Sequence, residues 1–199
     1  MPWEKSFNEE TALEKAMQVF WEKGFEPASI ADLLEGTGLN RGSLYNAFGG
    51  KRQLFVKALL KYDRDRQAML AKLEALDNPK KAIAAFFDTI VARTVADQDH
   101  KGCFLFNTAL EITTHDETVN DIVSKGVREI EAFFRRSIEV GQARGDIPKE
   151  LNPEATAKAL LALIVAIRVL GRGVFAEVAL QKIADEGKRM VGWNHDDSS

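Results

Sequence analysis

Apolar residues recur along this chain at three- and four-residue intervals, the period of an amphipathic helix. Leu13, Ala16, Met17 and Phe20 form the first stripe, in a helix expected from an Asn8 cap to about Lys23. Ile30, Leu33 and Leu34 follow behind Ser29, a second N-cap, and Gly36-Thr37-Gly38 is expected to stop that helix. Asn40 then caps a third helix running to about Phe48, and Gly49-Gly50 leads into a fourth over Lys51 to Leu76. Asp77-Asn78-Pro79 breaks the chain before a helix to about Ala96, marked by Ile83, Phe86, Phe87, Ile90 and Val91. After a polar loop from Asp97 to Gly102, a shorter helix is expected over Phe104 to Thr114 and a long one over Asp116 to Ala143. Asn152-Pro153-Glu154 restarts a helix that runs into Leu160 to Leu170, a stretch with one charge, and a last helix spans about Phe175 to Val191. The expected fold is all-α, with a three-helix unit over residues 1–50 and a larger helical domain over 51–199.

Residues 29–48 have the layout of a helix-turn-helix, in which the second helix enters the DNA major groove. At about 100° per residue, Leu44, Ala47 and Phe48 share the inner side of that helix. Gly42 and Asn46 point outward with Ser43 and Tyr45 beside them, and Arg41 stands in the first turn. Charge sharpens the picture. Between Gly36 and Tyr62 there is no acid, while Arg41, Lys51, Arg52, Lys57 and Lys61 are all cationic. The chain as a whole carries a net charge of -3, so an affinity for a polyanion has to be local. Topology and charge alone also fit a helical hairpin with a solvated basic face.

The run LNRGSLYNAFGGKRQLF narrows the choice. It resembles the recognition helix and the start of the following helix in the TetR family of transcriptional regulators, at Leu39, Gly42, Leu44, Tyr45, Phe48, Lys51, Leu54 and Phe55. The likeness reaches back over Phe20, Gly24-Phe25 and Ile30-Ala31. It implies a ligand-responsive repressor, dimeric on a pseudo-palindromic operator in double-stranded DNA and released by a small-molecule effector. On that reading Arg41, Ser43 and Asn46 read bases, Gly42 permits close approach, and Ser29, Tyr45 and Lys51 hold phosphates. Asn46 and Ala47 depart from the family's frequent residues, so base preference does not transfer.

Composition excludes more than it assigns. With 199 residues the chain has room for a sizeable core, and its single cysteine rules out an intrachain disulfide. The polar start MPWEKSFNEE lacks a signal pattern, and the apolar run Ala159 to Ile167 is too short to span a bilayer. The expected address is the cytoplasm, with no membrane partner. No P-loop, Rossmann glycine set, nucleophile elbow or repeated Glu-x-x-His occurs, so neither an enzyme nor a cofactor is expected.

The second half offers a pocket and a thiol. Phe86, Phe87, Phe106, Phe133 and Phe134 are candidates to line an effector site, together with Cys103 and Glu111. Cys103 stands at an expected helix N-terminus in a Gly-Cys segment similar to that of a TetR subgroup containing electrophile sensors, which makes a thiol-based electrophile or oxidant sensor the alternative trigger. The plain reading is a buried small residue. His100 with Cys103, and Glu111 with His115, form no recognisable metal pattern. The apolar Leu160 to Leu170 helix and the one after it are expected to form a four-helix homodimer interface, or else an internal core.

Overall fold

The computed structural model describes residues 7–111 and 116–194. Among these residues the chain forms helices only: α1 (Glu9–Lys23), α2 (Ile30–Thr37), α3 (Arg41–Phe48), α4 (Lys51–Glu74), α5 (Pro79–Val95), α6 (Phe104–Leu110), α7 (Glu117–Arg144), α8 (Pro153–Leu170) and α9 (Glu177–Met190). The tail of the expected sixth helix, residues 112–114, and His115 lie outside the described residues, as do the first six residues and the last five.

Local hydrogen bonds set the helix starts. Asn8, Asn40 and Asn152 each accept a backbone N–H from three residues on, at 3.1, 2.8 and 2.9 Å. Ser29 makes a full capping box: its hydroxyl accepts from Asp32 N–H, and the Asp32 carboxylate accepts from Ser29 N–H at 2.8 Å. The stop expected at Gly36-Thr37-Gly38 falls on its last residue: α2 runs through Thr37 and Gly38 caps it at φ 73°. Gly36 is needed for space, since a Cβ there would lie 2.4 Å from Val19 of α1.

Packing is continuous from end to end. α1 lies on α2 and α4, and Leu33 and Leu44 are fully buried between the helices of the first unit. Each contributes about 1.5–3 kcal/mol by leaving water. α4 continues past this unit to touch α5, α6 and α7, while α7 pairs with α8, and α9 closes against α5 and α8. Two aromatic groups mark the two halves. Phe20, Phe25 and Phe55 meet Trp21, Tyr62 and Phe104 where α1, α4 and α6 converge, with Phe25 and Phe55 at 4.8 Å and Trp21 and Tyr62 at 5.1 Å between centroids. Phe86, Phe87, Phe133 and Phe134 form the second, between α5 and α7.

The α5–α9 contact depends on a missing side chain. A Cβ on Gly187 would come within 2.3 Å of the fully buried Phe87 ring, which has no room to turn away. Gly187→Ala is therefore expected to destabilise the protein by about 1–3 kcal/mol of overpacking. Alanine's better helix propensity returns up to ~1 kcal/mol of that. A lower urea midpoint at unchanged slope is the expected result, and a midpoint at or above wild type would show that the ring yields.

Candidate DNA interface and effector cavity

The outer face of α3 is open. Arg41, Gly42, Tyr45 and Asn46 are exposed and Ser43 is half-buried, while Leu44 and Phe48 turn inward. Arg41 and Asn46 have no hydrogen bond or ion pair with any described residue, so their donors are free for an outside partner. Ser29 is exposed as well, but its hydroxyl is engaged with Asp32, donating at 2.7 Å. Lys51 is half-buried; its ammonium donates to Glu26 C=O at 3.1 Å and lies 4.7 Å from the Phe25 ring centre.

The acid-free stretch is less cationic in space than in sequence. Arg52 is paired with Asp116, and Lys61 sits among Glu10, Glu14 and Asp65. Lys57 donates to Ala47 C=O at 3.1 Å beside the Phe48 ring, fastening α3 to α4. Arg41 is the one cation of the five left uncommitted among the described residues. Residue spacing signals only the i,i+4 pair of Lys61 with Asp65; Asp116, Glu10 and Glu14 come from distant segments.

Asp32 deserves separate mention for its charge. The hydrogen bond from Lys23, then those from Ser29, hold its carboxyl well below the usual 3.8. A depressed carboxylate stabilises the fold above its unfolded value and loses that contribution as pH falls through the folded value.

Behind the helix-turn-helix a cavity of about 480 Å³ opens between α1, α4, α5, α6 and α8. Met17, Trp21, Met69, Phe86, Ile90 and Phe106 supply its apolar wall. Its polar lining is Tyr62, Cys103, Lys101, Arg66, Arg93 and Arg168, with Asp65 and Asp97. Of the residues expected at an effector site, Phe86, Cys103 and Phe106 meet here. Phe87, Phe133 and Phe134 are wholly buried in the core behind it, and Glu111 lines a separate 150 Å³ recess with Gly24, Asn107 and Arg172.

Cys103 is 8% exposed, and its Sγ lies 3.2 Å from the Tyr62 hydroxyl. Burial pushes the Tyr62 phenol well above its usual range, so it stays neutral. The preceding glycine is fixed by sterics and conformation together. Gly102 has φ 72°, and a Cβ there would lie 2.8 Å from Arg172. Its N–H donates to Asp97 at 2.8 Å and its carbonyl accepts from Arg168. Sequence reading missed Arg168, Tyr62, Trp21 and Arg66. A signal existed for Arg168, the single charge in Leu160 to Leu170: a guanidinium in an apolar helix has to be neutralised or used. For the others, only the convergence of α1 on α4 shows the site. Among the described residues no group of three or more His, Cys, Asp or Glu side chains is placed to hold a metal. No helix among them is long and apolar enough to cross a membrane.

This geometry is that of a helix-turn-helix protein with a cavity behind the DNA-reading unit. Family models agree in both halves. The model for bacterial regulatory proteins of the tetR family matches residues 12–58, and that for the tetracyclin repressor-like C-terminal domain matches 79–180. The chain belongs to the TetR family of bacterial transcriptional regulators. It is 32% identical to the uncharacterised HTH-type regulator YezE of Bacillus subtilis over 79% of this chain and 80% of that one. It is 28% identical to the HTH-type repressor ComR of Escherichia coli over 94% and 90%. The fold superposes on a cysteine mutant of the TetR-family regulator CifR, solved with 26 bp of double-strand operator DNA, at a TM-score of 0.81 and 29% identity, covering 95% and 98% of the two chains.

The capping carboxylate of α2 yields a direct check. Asp32→Asn is expected to lower the melting temperature at pH 7. The gap from wild type should close as pH drops below about 3.8, where the wild-type carboxylate progressively loses its advantage. Melts at pH 7 and pH 3 test this, and a gap that persists unchanged at pH 3 would remove the charge from the explanation.

Proposed function

We propose that this protein is a ligand-responsive repressor that binds a pseudo-palindromic operator as a homodimer. The free outer face of α3 carries the reading. Arg41 reaches a guanine edge or a phosphate, Ser43 and Asn46 contact base edges, and Gly42 lets the helix backbone come close. Tyr45 stands at the groove's edge for a phosphate. Ser29 and Lys51 hold phosphates through exchange of their present intramolecular partners. The operator complex of CifR supports the docking mode. The work belongs in the cytoplasm, where the DNA is, and involves no catalytic step. Residues 1–50 form the reading unit, and 51–199 house the effector and the dimer contact.

Dimerisation falls to α8 and α9. Val169, Val174 and Val178 are exposed at 39%, 66% and 69% beside Leu161 and Val165, an apolar strip that a second copy would cover. Two recognition helices then lie about one DNA turn, ~34 Å, apart.

The effector occupies the 480 Å³ cavity without covalent chemistry, a reading favoured by the burial of Cys103 and its contact with Tyr62. Met17, Gln18 and Trp21 of α1 form part of its wall, so an occupant touches the DNA-reading unit directly. Release follows if the ligand binds more tightly to the arrangement that mis-spaces the recognition helices.

Arg41→Ala is expected to weaken operator binding by about 1–3 kcal/mol. Fluorescence anisotropy with DNA flanking the protein's own gene, or with a site selected from random sequence, measures it. Unchanged affinity would remove Arg41 from the interface.

A further inference from the structure

The cavity is richer in unmatched donors than an apolar ligand requires. Two buried groups lining it have no hydrogen-bond partner: Nη1 of Arg66, a residue 7% exposed, and Nε1 of Trp21. An unsatisfied buried donor is costly, and such groups are uncommon in folded proteins. Arg168 is 6% exposed, yet it donates only to neutral acceptors, Thr94 Oγ1 at 2.9 Å and the Gly102 carbonyl. Among the described residues no carboxylate lies within ion-pair distance of Arg168 or Arg93, and both cations act on the Tyr62 hydroxyl. Most other charges of the lining have charged partners. Lys101 is paired with Asp99, and Arg66 with Asp63 and Glu129. Asp65 is held by Lys61, and Asp97 accepts the Gly102 N–H. Arg168 is therefore a buried cation without a carboxylate partner, set beside an apolar wall, with the exposed Arg93 on the same lining.

We infer that the cavity takes an amphipathic organic anion, a compact apolar body bearing one carboxylate-type head. The head lies against Arg168 and Arg93. The body packs on Met69, Phe86 and Phe106. A guanidinium is well suited to this, because it is permanently charged and offers paired donors to a planar carboxylate. A cation would meet like charge, and a neutral ligand would leave Arg168 uncompensated. This inference rests on the effector reading of the cavity and assigns it a chemical class.

The test is isothermal titration of the full chain at pH 7.5 with two acids, 2-naphthoate and decanoate, and their uncharged amides. At least one acid should bind at least tenfold more tightly than its amide. Arg93→Gln and Arg168→Gln should each reduce that preference several-fold, with melting curves recorded for both. Arg93 is exposed, so its variant keeps the test valid if loss of Arg168 unfolds the chain. An amide that binds as well as its acid overturns the inference, as does failure of both acids to bind at millimolar concentration, or preference retained in a folded Arg93→Gln variant. Operator anisotropy with the same acids separates the two readings. Acids that bind but leave DNA affinity unchanged sink the effector role and leave the anion site standing. Intact operator binding with no acid bound sinks the anion site alone.

Discussion

The packing that joins one end of this molecule to the other centres on the aromatic junction of α1, α4 and α6. Phe20 and Phe55 meet at 5.1 Å, Phe55 and Phe104 at 5.7 Å, and Trp21 lies over Phe104 at 6.1 Å. Such pairs add about 0.5–1.5 kcal/mol each beyond the area they bury. Their larger effect is geometric. Close-packed rings shift between discrete arrangements rather than deform smoothly, so a displacement of Trp21 carries α1 with it. The cavity opens on one side of this junction and the helix-turn-helix lies on the other. Trp21 belongs to both, stacked in the junction and lining the cavity.

A second link runs along the outside. Arg52 at the start of α4 holds Asp116, which also caps α7 by accepting Val119 N–H at 3.3 Å. That hydrogen bond from Arg52 keeps the Asp116 carboxyl below the ordinary carboxylate range. Lys61 ties α4 back to Glu10 and Glu14 of α1. Arg52 and Asp116 are exposed, and Lys61 is buried but its partners Glu10 and Glu14 are exposed, so each pair adds little to stability. Their value is orientation: they tie α4, the one helix shared by both halves, to a neighbour in each.

Local chemistry was legible in the sequence and long-range convergence was not. The all-α class, the helix spans and the caps at Asn8, Ser29, Asn40 and Asn152 follow from hydrophobic period and from side chains that bond three residues away. The period of α5 placed Phe86 and Phe87 together, but only the third dimension decides that Phe86 reaches the cavity while Phe87 is pressed against Gly187. The glycine stop of α2 was legible and falls at Gly38, but the close approach at Gly36 was not, because Val19 lies outside any local window. Residues on α1 contribute to the cavity wall although pattern alone assigns α1 to DNA reading. The positive stretch from Arg41 to Lys61 was counted correctly, but apart from Asp65 at i,i+4 from Lys61 its charged partners lie too far along the chain to be seen.

Those internal pairings shape how the protein searches a chromosome. Sequence-independent attachment to DNA is driven by cations displacing counterions from phosphates. Here the acid-free stretch leaves Arg41 alone uncommitted among the described residues, in a chain whose net charge is -3. Each cation kept on an internal partner is one fewer to displace counterions from arbitrary sequence. Because a genome presents about 10⁶–10⁹ competing non-specific sites, occupancy of one operator depends on the ratio of the two affinities. A regulator that spends its cations on its own scaffold loses fewer copies to that background. For any such regulator, the smaller that loss, the smaller the pool that keeps a single site filled.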